Sequence, residues 1–418
     1  MNIKFRLILM NFMQFFIWGA WLLTIGAYWF QNKHWSGQQF GIIFSTMGIS
    51  ALFMPALIGI VADRLINAEK LYGVMHILGS LTLFSLPLVE SPTTFFWVLL
   101  LNMFFYMPTL SLSITVAYSA LKSQNIDVVK EYPPIRVWGT VGFIAALWTI
   151  NLTHSTTSPN QFYIAGAVAL CLGMYSFTLP KCPPLAKKAK HKSFVDAFGL
   201  KAFTLFKIPR FAVFFIFSLL LGAALQLTNA YGTTYLLDFN KPQFKDLFAV
   251  RNPAALISLS QISETLFILA IPFFLRRFGI KNVMLFSMVA WVLRFGLFAF
   301  GDPAGGLWMI VLSCIVYGMA FDFFNISGSL FVETQTSPEI RGSAQGLFMM
   351  MVNGVGAIIG SLTSGYIIDK FFTYTDKSKD WHGIWLTFAA YALVIAIIFP
   401  FVFRDKHGIE VKQVADLA

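Results

Sequence analysis

The 418-residue chain alternates long apolar runs with short polar interruptions. The runs are apolar on every side, unlike the one-sided stripe of a helix lying on a soluble core. A helix that crosses a bilayer needs about 20 such residues. Runs of this kind can be drawn at about 7–30, 39–62, 71–89, 94–120, 134–152, 161–180, 211–237, 254–275, 280–300, 306–331, 341–368 and 382–403. The pattern predicts an all-α integral membrane protein of twelve transmembrane helices. The longest polar interruption leaves six spans on either side. The expected organisation is therefore a six-helix half at 1–180, a basic linker at 181–210, a second six-helix half at 211–403 and a tail at 404–418. The first run follows Lys4 and Arg6, is longer than a signal-peptide core and lacks a small-residue cleavage pattern, so it reads as the first span.

Composition leaves no stretch for a soluble domain, because only 12% of residues are charged against about a quarter in ordinary soluble chains. A net charge of +11 would suggest nucleic acid in a soluble protein, but here its distribution decides. With the N-terminus inside, 21 of the 30 lysines and arginines fall in cytoplasmic segments and 7 outside. A bias of that sign puts both termini in the cytoplasm. The linker reads KCPPLAKKAKHKS and then an amphipathic FGLKAFTLFK. Its lysines are expected to face solvent and lipid headgroups, and no nucleic-acid partner is expected. Cys171, Cys182 and Cys314 lie far apart with no CxxC and no cysteine–histidine cluster, so neither disulfide nor metal site follows.

An internal repeat supports the division into halves. IRVWGTVGF at 135–143 aligns without gaps with IRGSAQGLF at 340–348, each after a proline turn that opens the fifth span of its half. GIVADRLINAEK at 59–70 and FFLRRFGIKNV at 273–283 likewise follow the second span of each half. Six-plus-six parallel repeats are the architecture of the major facilitator fold, with substrate near the midplane between two rocking halves.

Four charges remain inside the predicted spans: Arg136, Arg294, Glu264 and Asp322. Each costs several kcal/mol at membrane depth unless it faces a cavity, finds a partner or is neutralised. Glu264 follows Gln261 by three residues, and Gln226 precedes Asn229 by three, so each pair shares a helical face. Carboxamides offer donor and acceptor together, which suits a neutral, hydroxyl-rich ligand; the plainer reading is that they bind helices to one another. Asp322 sits among Phe321, Phe323 and Phe324, with Tyr317 about one turn earlier. An acid there is costly to ionise in a dry cavity and cheap in a wet one, so it could take up and release the coupling proton as the cavity alternates. The competing reading pairs Asp322 permanently with Arg136 or Arg294. Arg136, Thr140 and Phe143 fall at i, i+4 and i+7 on one helical face, a recognition surface of guanidinium, hydroxyl and aromatic ring. Arg341, the repeat counterpart of Arg136, reads as a cytoplasmic-end arginine, and Arg294 as half of a structural ion pair. His34, His76 and His154 stand singly near predicted span ends and read as interfacial residues.

Several motifs together resemble the bacterial nucleoside:H+ symporter family: FxQFxIWGxWL at 12–22, MPALIGIVAD at 54–63, FFYMPTL at 104–110, YPPIRVWGTVGFI at 132–144, LQLTN at 225–229, SQISETLFIL at 260–269 and VYGMAFDFFNISGSLFVE at 316–333. The resemblance implies a monomeric, proton-driven importer of nucleosides in the bacterial inner membrane, with no cofactor beyond the proton. It implies substrate contacts from Arg136, Thr140, Phe143, Gln226, Asn229, Gln261, Glu264, Tyr317 and Phe321, and proton coupling by Asp322 or Glu264. Purine and pyrimidine nucleosides both remain open, as does a narrow xanthosine-type preference. The residue chemistry alone also admits a proton-coupled sugar or glycoside symporter. A membrane enzyme or a transporter-derived sensor is the reading from another class, although no nucleophile or metal constellation favours an enzyme.

Overall fold

A computed structural model describes residues 2–184, 200–239 and 242–403. Most of the lysine run in the expected linker, and the expected tail at 404–418, lie outside the described residues. Regular structure among the described residues is helical except for one isolated antiparallel bridge between Thr373 and Lys379. Nine described helical stretches are long and apolar enough to cross a membrane.

Three of the predicted runs take a different form from a simple span. The run at 7–30 is not one helix: α1 covers Ile3–Gly19, and turns lead into a short helix at Ile25–Ala27 and a π-helical turn at Tyr28–Asn32. The runs at 254–275 and 280–300 fall largely in one 42-residue element, α8 (Leu259–Phe300), broken only at Gly279. Gly279 has φ 74° and ψ 167°, a backbone conformation that costs little only without a Cβ. The remaining principal helices are α2 (Thr46–Arg64), α3 (Ala68–Ser85), α4 (Pro92–Lys122), α5 (Val128–Leu152), α6 (Asn160–Ser176), α7 (Pro209–Leu237), α9 (Leu307–Gln335), α10 (Pro338–Met349), α11 (Ala357–Phe371) and α12 (Trp381–Val402).

The chain groups into two units, one of Met1–Phe198 with Asn229–Thr234, the other of Gly199–Thr228 with Tyr235–Ala418. In the first, α1 and α5 approach backbone to backbone because Gly142 has no side chain; a Cβ there would strike the carbonyl of Phe12. In the second, Gly222 of α7 sits in the same way against Val352, in the π-helical turn Met350–Gly356 that joins α10 to α11. Small residues at such crossings are the usual means of helix association where lipid removes the hydrophobic driving force.

A buried polar knot holds the first unit together. Gln14 of α1 is fully buried. Its Oε1 accepts from Tyr72 Oη at 2.6 Å and lies 2.8 Å from His76 Nε2, so the imidazole donates through that nitrogen. Its Nε2 donates to Thr109 Oγ1 at 2.9 Å, and its backbone carbonyl accepts from Tyr106 Oη at 2.8 Å. The residues come from α1, α3 and α4, so one carboxamide fastens three helices. His76 is therefore not interfacial: it is buried in this knot, with its ring edge-on to Tyr72 at 4.6 Å. The span boundary drawn from hydropathy fell within a turn or two of it, too coarse to tell an end from an interior.

Removing one partner of a buried hydrogen bond leaves the other stranded, at about 1–3 kcal/mol each. Gln14→Leu strands Tyr72, His76 and Thr109 together and is expected to destabilise the detergent-solubilised protein by about 2–4 kcal/mol. Tyr72→Phe, which removes a single donor, should cost about 1 kcal/mol. Thermal and denaturant unfolding of the two variants would measure the difference, and equal melting points would remove Gln14 from this role.

Candidate functional site

In the first unit the expected contacts lie along α5. The Arg136 guanidinium rests over the ring of Phe15, 4.0 Å from its centroid. A cation over an aromatic face is worth about 0.5–2 kcal/mol and fixes the plane of the guanidinium. Thr140 is half-buried one turn on, and Phe143 is buried with its backbone against Gly19 of α1. Phe15 precedes this site in α1 and is next to Gln14, so the polar knot and the Arg136 platform are built from neighbouring residues. The repeat counterpart, Arg341, instead forms an exposed ion pair with Glu333 at 2.8 Å. The two arginines share a sequence position in the repeat and have different surroundings.

In the second unit the expected contacts come from α7, α8 and α9. Gly318 is what brings α9 against α8: a Cβ there would lie 2.6 Å from the carbonyl oxygen of Ser263 and 2.7 Å from the nitrogen of Glu264. Ser263 Oγ donates to the carbonyl of Ile315 across the same crossing. The approach sets half-buried Glu264 of α8 against α9, the helix that carries Tyr317 and Asp322. Tyr317 and Phe321 stack almost parallel, with centroids 5.9 Å apart and planes at 7°. Phe321 also borders a mostly apolar pocket lined by Leu225, Trp291, Phe324 and Asn325.

The polar groups on these faces are incompletely used. Gln226, Gln261 and Asp322 are buried, at 5%, 8% and 4% exposure, and each keeps an oxygen without a hydrogen-bond partner among the described residues: Gln226 Oε1, Gln261 Oε1 and Asp322 Oδ2. Unpartnered buried polar atoms also occur away from these faces, at Asn11, Trp18 and Trp385 among others, so it is the grouping of these three oxygens on the expected contact faces that makes them available to a ligand or water. The pair Gln226 and Asn229 shares a face of α7 but straddles the unit boundary, since Asn229 opens the stretch grouped with the first unit.

Arg294 departs from its expected role. It is fully buried and forms no ion pair with a carboxylate among the described residues. Its guanidinium is held by neutral groups instead: Nη1 donates to the Ser313 carbonyl at 2.7 Å, Nε to Thr228 Oγ1 at 3.2 Å, and its carbon lies 4.5 Å from the Tyr317 ring centroid. The same observation removes the permanent Asp322–Arg294 pair. Phe15 and Gln14 were also absent from the expected site. Their signal was membership of the FxQFxIWGxWL motif at 12–22, which assigned them no role.

With this geometry in view, comparison with known proteins decides the family. Residues 1–408 match the profile described as Nucleoside H+ symporter. The chain belongs to that family. It is 51% identical over 98% of its length to the xanthosine permease of Escherichia coli K12, covering 98% of that protein. It is 50% identical over 97% of its length to the nucleoside permease NupG of the same organism, again covering 97% of the relative. The crystal structure of the nucleoside transporter NupG superposes with a TM-score of 0.91 at 49% identity, over 97% of this chain and all of that one. These relatives are permeases, which sets aside the enzyme reading.

Within this family setting the platform under Arg136 is directly testable. Phe15→Leu keeps an apolar side chain but removes the π face, so nucleoside affinity is expected to fall about 2- to 10-fold. Phe15→Tyr, which keeps the face, should bind like the parent. Calorimetric titration of purified protein with uridine would read both, and parent-like affinity in Phe15→Leu would detach Phe15 from the site.

Proposed function

We propose that this protein carries nucleosides inward across the bacterial inner membrane together with protons, by alternating access between two six-helix halves. The family match over nearly the whole chain is the observation that carries this reading. The site chemistry fits it: ribose hydroxyls can satisfy the unused oxygens of Gln226 and Gln261 together with Asn229 and Glu264, while a base can stack on Phe143 or Phe321. Arg136 and Thr140 add donors from α5, and Tyr317 supports Phe321 by stacking. The proton is the coupling ion, and the chemistry of these groups calls for no other cofactor. A second reading, preference for xanthosine, rests on the likeness to the xanthosine permease.

Twelve spans follow if three features are counted together with the nine stretches. Gly279 divides Pro253–Phe300, a 48-residue stretch, into two crossings. The α1 and α6 helices, at 17 residues each, reach about 25 Å, near the thickness of the hydrocarbon core. The lysine and arginine bias then sets both termini in the cytoplasm. Halves at 1–180 and 211–403 joined by the 181–210 linker complete the proposed architecture.

Asp322 is the proposed proton carrier, with Glu264 as the alternative. In this cycle, protonation outside favours loading of nucleoside, and proton release to the cytoplasm commits the cycle inward. Coupling requires that proton and substrate favour the same conformation, since a ligand shifts an equilibrium only by its differential affinity for the two states.

Vesicles with an imposed pH gradient, acidic outside, test this. At one proton per nucleoside, each unit of gradient supports about tenfold accumulation of labelled uridine. Uptake should collapse with a protonophore and be competed by adenosine and xanthosine to degrees that reveal the preference. Competition by free sugars but not nucleosides would replace the nucleoside reading with the glycoside one. Asp322→Asn should equilibrate uridine without accumulating it; gradient-driven accumulation in that variant, lost instead in Glu264→Gln, would move the carrier to Glu264.

A further inference from the structure

A buried arginine without an acid demands an account. Arg294, at 0% exposure, reaches three helical segments at once. Nε donates to Thr228 Oγ1 on α7 at 3.2 Å, and Nη1 donates to the Ser313 carbonyl on α9 at 2.7 Å and, at 3.5 Å, to Ser260 Oγ at the start of α8, while Nη2 has no hydrogen-bond partner among the described residues. The guanidinium also covers the rings of Tyr317 and Phe298, at 4.5 and 5.0 Å. In return Ser313 Oγ donates to the Arg294 carbonyl at 2.9 Å.

The positions of those partners matter more than their number. Thr228 stands between Gln226 and Asn229; Ser260 is the residue before Gln261; Tyr317 is itself a proposed substrate contact and stacks on Phe321. Three of the groups that Arg294 touches, Thr228, Ser260 and Tyr317, therefore adjoin a group proposed to meet the nucleoside or are one; Ser313 and Phe298 complete its surroundings. A buried charge is a poor way to stabilise a core, since apolar residues of similar volume often do as well or better. Its planar, forked donors do fix direction in two places at once, which a lysine ammonium does not.

We propose that Arg294 is a positioning residue for nucleoside binding, setting the register of Gln226, Gln261 and Tyr317 relative to one another without itself touching substrate. The assignment rests on the nucleoside reading above. It replaces the structural ion pair expected of this arginine with a role in substrate geometry.

Arg294→Met removes the charge and fork while keeping an unbranched side chain of similar length. Its melting point is expected to stay within a few degrees of the parent or to rise, while the apparent KM and the Kd for uridine rise about tenfold or more. Maximal uptake per correctly inserted transporter should stay within about threefold. Arg294→Lys should show the same rise in KM, because charge without the fork does not restore the register. Thr228→Val, nearly isosteric and lacking only the Nε partner, keeps the test informative if the arginine variants do not fold. It should raise KM about two- to fivefold, and no change in it would overturn the proposal, as would parent-like KM and Kd in either arginine variant. Titration of the parent protein with uridine separates this from the underlying reading. A parent that binds no nucleoside overturns both; a parent that binds, with variants that bind equally, overturns only the role of Arg294.

Discussion

A polar group inside a bilayer has no water to turn to, so it is matched within the protein or left for something the protein will bind. The described interior divides along that line. Gln14 spends its carboxamide and its backbone carbonyl on Tyr72, His76, Thr109 and Tyr106, and Arg294 spends Nε and Nη1 on Thr228, Ser260 and Ser313, with Nη2 unpartnered among the described residues. Gln226, Gln261 and Asp322 each hold back a buried oxygen. Under the proposed function the first set serves mainly as scaffold and the second is offered to substrate and proton. Scaffold and proposed contacts lie close along the chain at two places: Gln261 follows Ser260, and Thr228 lies between Gln226 and Asn229.

Close backbone approach is the other half of the design. Gly318 lets α9 lie against Ser263 and Glu264, and this contact, more than any side-chain attraction, sets an acid of α8 against the helix that carries Tyr317 and Asp322. Gly142 and Gly222 serve the α1–α5 and α7–α11 crossings in the same manner, although the repeat between 135–143 and 340–348 does not align those two glycines with one another. Both partners carry such glycines at each crossing: Gly19 of α1 lies against Phe143 and Gly360 of α11 against Ala223.

Much of this was legible in the chain. The apolar runs, their interruption by a basic segment, and the scarcity of charge identified a membrane transporter architecture, and the motifs around Arg136, Gln226, Gln261 and Asp322 identified the family. What escaped was the role of polar groups that carry no charge or sit near a boundary. Gln14 lies in an apolar run and barely alters its hydropathy, yet it is the centre of the first unit. His76 was misplaced because a boundary uncertain by a few residues is uncertain by about a helical turn, enough to exchange an interface for an interior. Arg294 was matched to an acid because charge calls for charge on paper. In the fold, hydroxyls, a carbonyl and two aromatic faces take that place, and no one-dimensional pattern signals them.

The ties made by Gln14 and Arg294 each close within a single unit. If a transport cycle moves the halves as bodies, such ties persist through it, and each half presents its share of the site already shaped. Preorganisation of that kind lowers the ordering cost of binding, but it cannot by itself couple substrate to proton, because a surface that never changes binds equally in every state. Coupling has to come from a group whose surroundings differ between states. Asp322 suits that part: it carries an unpartnered oxygen and lies on α9, which packs against Glu264, five residues from Tyr317, whose ring Arg294 covers. On the proposed assignment, a rigid frame with one adjustable acid suffices for a symporter, with affinity and coupling given to different residues of α9.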